Sequence, residues 1–103
     1  MALEFPDLIR SLPVFEGPFD AFKLEADRFK VLFASYPAGT DIPEHEHETE
    51  NLGLVTQGCL ILTTGGETRR LETGAWYHLD CHQRHGASFD QDTQIIEFWF
   101  DRG

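Results

Sequence analysis

A chain of 103 residues with 41% hydrophobic content has room for one two-layer domain and not for a core plus a second module, so its function has to fit a single site. Its formal net charge of −10, eight basic against eighteen acidic side chains, repels phosphate backbones and argues against nucleic-acid binding; no apolar run nears the ~20 residues of a helical membrane span. The first ten residues carry acids where a secretory leader carries bases. A cytoplasmic location is therefore expected, with Cys59 and Cys81, which form no Cys-x-x-Cys motif, as free thiols.

In chain order, Phe5 to Leu12 has a Leu8, Ile9, Leu12 spacing that suits one helical turn, bounded by Pro6 and Pro13, and reads as a short lid or cap. Val14 to Phe19 is turn-rich, and Asp20 to Ala26 alternates weakly, as an edge strand does. Arg28 to Tyr36 is a clearer strand, with Phe29, Val31 and Phe33 on one side and Lys30, Leu32 and Ala34 on the other. Pro37-Ala38-Gly39 turns the chain into a strand from Ile42 to His47, and Leu52 to Gln57 is its partner. Cys59 to Thr64 meets Gly65-Gly66, a hairpin signal, and Glu67 to Leu71 returns with Arg69 and Arg70 exposed. Ala75 to Leu79, Arg84 to Phe89 and Thr93 to Phe100 complete eight or nine short strands, and an all-β antiparallel sandwich or barrel is expected. Trp76 and the many Phe read as core, Tyr77 and His78 as structural residues on opposite faces.

The stretch from Gly39 to Gly58 carries the chemistry. Alternate side chains of an extended chain share a face, so His45 and His47 can reach one ion. His85 follows a second glycine-led stretch that starts at Gly74; on a neighbouring wall it would complete a three-imidazole transition-metal site.

These residues resemble the cupins, whose motifs are Gly-x5-His-x-His-x3-4-Glu-x6-Gly and Gly-x5-Pro-x-Gly-x2-His-x3-Asn. Gly39, His45, His47 and Gly58 fall on the first motif, and Gly74 and His85 on the second. Asn51 stands at the glutamate position, Asp80 and His82 replace the second motif's Pro and Gly, and Phe89 replaces its Asn. The resemblance implies a small β-barrel or jelly roll (double-stranded β-helix) over residues 1–103. Residues 1–26 form a cap and edge strand and residues 27–103 the barrel, and cupins commonly pair as homodimers.

The expected cofactor is one divalent transition metal, Zn, Fe, Mn or Ni, on His45, His47 and His85. Alternation from His45 points Asn51 inward and Glu50 outward, which leaves three options for the fourth ligand: Asn51, Glu50 swung round by a bulge near Gly53, or water. Such neutral ligands leave the ion its full charge, suited to a small anionic ligand. On the last strand Ile95, Glu97 and Trp99 share a face. That face either lines a pocket, with Glu97 as the catalytic proton carrier and Trp99 against substrate, or faces solvent. An acid-x-aromatic pair also closes the small cupins that linearise unsaturated uronates. His82, beside Cys81 on a loop, is the remaining candidate for substrate contact. Three functions follow: a metal-dependent lyase, isomerase or tautomerase on a carbohydrate-derived or keto acid; a metal-dependent oxygenase; or a non-catalytic small-molecule binder.

Overall fold

A computed structural model describes residues 5–101; residues 1–4, part of the leader reading, and residues 102–103 lie outside it. One helical turn, α1 (Asp7–Arg10), precedes nine strands: β1 (Asp20–Glu25), β2 (Phe29–Tyr36), β3 (Asp41–His45), β4 (Glu50–Gln57), β5 (Cys59–Thr64), β6 (Glu67–Glu72), β7 (Trp76–Leu79), β8 (His85–Ser88) and β9 (Thr93–Phe100). All pairings are antiparallel, in a five-stranded sheet ordered β1-β2-β9-β4-β7 and a four-stranded sheet ordered β3-β8-β5-β6. This is an all-β antiparallel jelly roll, as expected. Among the described residues no helix is long and apolar enough to cross a membrane.

Register decides which side chains meet inside. In the five-stranded sheet, Lys30, Trp99, Asn51 and Leu79 form one inward row, Leu32, Glu97, Gly53 and Tyr77 the next, and Ala34, Ile95 and Val55 a third. Leu32, Ala34, Val55 and Ile95 are at most 1% exposed and pack with Leu60, Leu62, Leu71 and Phe89 of the facing layer. Complete burial of each such large side chain stabilises the fold by about 1.5–3 kcal/mol. The β5–β6 hairpin closes through Gly65 and Gly66, both at positive φ, as a two-residue turn matched to strand twist requires.

Three local expectations change. The strand that carries the histidine pair ends at His45, so His47 lies beyond it. Trp76 is not core: it is 57% exposed and stacks on Phe98 on the outer face of the large sheet. Nor does the helical turn act as the cap, since Leu8 is 80% exposed and none of its residues is buried. The cap is the turn-rich segment after it, whose Phe15 and Phe19 stack at 5.4 Å and reach the barrel interior.

Gly53 exists for a neighbour. A Cβ there would lie 2.1 Å from the Tyr77 ring, which crosses over the glycine toward Glu97. Gly53→Ala should therefore destabilise the fold by about 1–3 kcal/mol in urea unfolding. The same change in a Tyr77→Ala background should cost much less, and equal cost in both backgrounds would show that the ring is not the obstacle.

Candidate metal centre and cavity

A one-residue bulge aims the histidines. On β3, Ile42 pairs with Ala87 and His45 with His85, so Pro43 and Glu44 together oppose Gly86 alone. Strict alternation would set Ile42 and His45 on opposite faces; the extra residue shifts the phase, and Ile42, His45 and His47 all line the same cavity. Pro43 fits here because it has no N–H to leave unpaired. Gly86 lets the bulged backbone approach, since a Cβ on it would come within 3.2 Å of the Ile42 carbonyl oxygen.

His45, His47 and His85 present ring nitrogens that all lie within 4.8 Å of one another, and His45 Nε2 is 3.1 Å from His47 Nε2. His45 Nδ1 faces the Pro43 carbonyl and His85 Nδ1 the Gln83 carbonyl, each at 2.8 Å. Those carbonyls hold the Nδ1 protons and leave the Nε2 lone pairs directed at the common point. Burial, then the neighbouring His45 and His85, then Lys30, push the His47 pKa down to about 4. Burial also lowers that of His85, against a raising bond from Gln83. Neutral imidazoles that converge on one point are the donor set a divalent transition metal takes, so these residues fit such an ion.

Asn51 is buried on the cavity wall, its Oδ1 accepting from Thr49 Oγ1 at 2.6 Å. Glu50 faces the other way, 2.5 Å from His78 Nε2 on the outer surface, so no bulge brings it to the histidines. Glu50, His78 and Asp80 form a second ligand-like group there, more exposed than the first.

Glu97, 5% exposed, lines the same cavity of about 460 Å³ as the three histidines. Tyr36 Oη donates to its Oε2, and Trp99 Nε1 donates to Oε1 at 3.1 Å. Burial raises its pKa more than those two donors lower it. The hydroxyls of Tyr36 and Tyr77 are raised well above their usual value, by burial first and then by the Glu97 charge. Trp99 stands in the cavity wall with its ring 4.6 Å from that of His47, and Lys30 Nζ lies 4.7 Å from the Trp99 ring centre and 5.3 Å from that of Phe15. His82 is elsewhere. It occupies an exposed turn at φ 61°, its Nδ1 is 2.9 Å from Glu46, and it is not a cavity residue, because the loop directs its ring outward. Its backbone matters more, as its N–H donates to the His47 carbonyl at 2.7 Å and ties down the segment beyond β3. Both thiols are free, Cys59 buried.

Sequence reasoning gave Tyr36 and Lys30 no part in the site and read Tyr77 as structural. Tyr36 and Lys30 share the inward phase of β2 with Leu32 and Ala34, a signal present in the alternation, but nothing in it says which strand they meet.

Residues 32–100 match the cupin domain family. The chain belongs to the cupins. Over 68 residues it is 31% identical to a Bacillus subtilis protein named H2HPP isomerase, a match that covers 65% of this cupin and 29% of that relative. The chain thus spans less than a third of that relative's length. Among solved structures it resembles an RmlC-like cupin from Shewanella frigidimarina (TM-score 0.80, 16% identity, 89% of this chain and 86% of that one). It also resembles KdgF from a Halomonas species (TM-score 0.74, 24% identity, 85% and 84%). At these identities the two structures speak to the fold alone.

The depressed histidine pKa values carry a sign. Unfolded imidazoles take up protons near pH 6.5 while folded His47 resists until about pH 4, so the unfolded state binds more protons between those values. Metal-free cupin should lose stability as pH falls from about 6.5 toward 4. His47→Gln should flatten that part of the profile in thermal melts with chelator present; an unchanged slope would contradict the buried, neutral imidazole.

Proposed function

We propose that this cupin holds one divalent transition metal on His45, His47 and His85, with Asn51 as a fourth donor, and acts as an isomerase, tautomerase or lyase on a small anionic keto acid or related molecule. The observation that carries this reading is that the three imidazoles and a buried, doubly hydrogen-bonded carboxylate, Glu97, open onto one cavity. Such an ion supplies Lewis acidity toward a carbonyl or enolate oxygen. Glu97 takes a proton from the carbon beside that carbonyl and returns it; burial raises its pKa and so strengthens it as a base. Tyr36 and Trp99 hold the carboxylate in place, and Trp99 forms the wall against which the substrate lies. The likeness to a protein named as an isomerase supports the same class. The site belongs to a single domain, with residues 1–26 as cap and edge strand and 27–103 as the rest of the barrel, in a cytoplasmic protein.

His85→Ala removes one of three strong donors. Metal retained after dialysis, measured by elemental analysis, should fall to background, and full occupancy would sink the ligand set. Glu97→Gln should keep the metal yet slow solvent-deuterium incorporation beside the carbonyl of 4-methyl-2-oxopentanoate by ~10²-fold or more. Unchanged exchange in that variant would remove Glu97 from the chemistry, and oxygen uptake without exchange would favour an oxygenase.

The proposal includes a homodimer. On the outer face of the large sheet, Leu24, Phe29, Trp76 and Phe100 are exposed, and a second copy laid on this face covers them, with Glu50 beside Phe100 already paired to His78. Light scattering should give a dimer mass, and Trp76→Lys should give a monomer; a wild-type monomer at micromolar concentration would refute the pairing.

A further inference from the structure

The walls of the cavity narrow the substrate class. Phe15, Phe19, Leu60, Leu62, Phe89 and Ile95 form an apolar part of a lining without a single Ser, Thr or Gln. Several of the polar groups that do reach it are already engaged. Both Glu97 oxygens accept bonds, Asn51 Oδ1 accepts from Thr49, and the Nδ1 atoms of His45 and His85 face carbonyls. Among the described residues no buried side-chain polar atom is left without a partner. A polyhydroxylated ring placed here would lose water from several hydroxyls and find few partners on these walls, at a cost of roughly tenfold in affinity for each hydroxyl left unpaired. An aryl or branched alkyl body meets no such penalty and exchanges water for carbon contacts.

We infer that the site takes a carboxylate or enolate with an apolar body, such as an aryl or branched-chain 2-oxo acid, and rejects sugar acids of similar size. This rests on the metal reading for the anionic head and on the walls for the body. The apolar body lies among Leu60, Leu62, Phe89 and Ile95, and the anionic head sits at the imidazole end beside Trp99.

The test separates the two parts. Zinc binding to the chelator-stripped protein is measured first by calorimetry. The zinc-loaded protein is then titrated with phenylglyoxylate, 4-methyl-2-oxopentanoate, pyruvate and galacturonate. A Trp76→Phe variant, which leaves Trp99 as its only tryptophan, provides a fluorescence readout inside the cavity. Phenylglyoxylate and 4-methyl-2-oxopentanoate should bind at least about tenfold more tightly than pyruvate and about a hundredfold more tightly than galacturonate, with quenching of Trp99. Galacturonate equal to or tighter than the apolar acids, or no binding of the apolar acids, overturns the inference while zinc binding leaves the metal reading standing. Absence of zinc binding overturns the metal reading. In that case, the same order of affinities in the stripped protein still supports the apolar wall, and its loss there overturns it.

Discussion

A carboxylate inside an apolar barrel must be given hydrogen-bond donors, and much of this interior is arranged around that need. Glu97 sits in a row with Leu32, Gly53 and Tyr77, where an unsolvated charge would cost far more than any one contact returns. Tyr36 from the adjacent strand serves one oxygen and Trp99, two residues along, the other. Tyr36 in turn is clamped between aromatic rings, stacked on Phe89 at 4.3 Å and tilted against Phe19 at 4.8 Å. The cap residue Phe19 thus bears, through Tyr36, on the group that faces the imidazoles. A carboxylate built into the interior in this manner is a costly feature, and its place on the cavity wall is what gives it a use.

The imidazole end is held differently, by backbone and by charge outside the barrel. His47 lies past the end of β3, where no ladder fixes it, and the His82 N–H is its main-chain anchor. Around that contact Arg84 reaches Glu44 at 3.3 Å and Glu46 at 3.5 Å, while His82 also pairs with Glu46. Each of these exposed pairs is worth little, on the order of 0–1 kcal/mol, yet together they fasten the outward residues of the Glu44 to His47 segment to the start of β8. The acids that alternate with the histidines are therefore the outward half of a clamp whose inward half is His45 and His47.

Much of this was legible in the sequence because strand alternation is a local property. The inward phase of β4 separated Asn51 from Glu50, and that of β9 grouped Ile95, Glu97 and Trp99 without saying whether their face was wet or dry. That question is one of register: the pairing of β9 between β2 and β4 puts Glu97 opposite Leu32 and Gly53, and pairings between residues about 40 to 70 positions apart are not written in any short window. The bulge at Pro43 and Glu44 was hidden for a related reason. Ile42, on the other phase from His45 and His47, also turns inward, which only the Ile42–Ala87 and His45–His85 pairings reveal. Trp76 misled because large aromatics are usually buried, whereas β7 is an edge strand whose outer side chains have no layer above them.

The two-sheet order leaves β1, β7, β3 and β6 as edge strands, and each is blunted against strand addition. Residues 13–15 lie along β1, through Phe15 N–H to Ala21 and Lys23 N–H to Pro13. β7 has only four residues, β3 is broken by Pro43 and its bulge, and β6 reads Glu-Thr-Arg-Arg-Leu-Glu, with charge on both rims. Open ladders with these features are poor templates for a foreign strand. A protein with so exposed an apolar sheet face is thereby kept from fibrillar growth along its hydrogen-bonding direction, and its stickiness is confined to contacts made flat against that face.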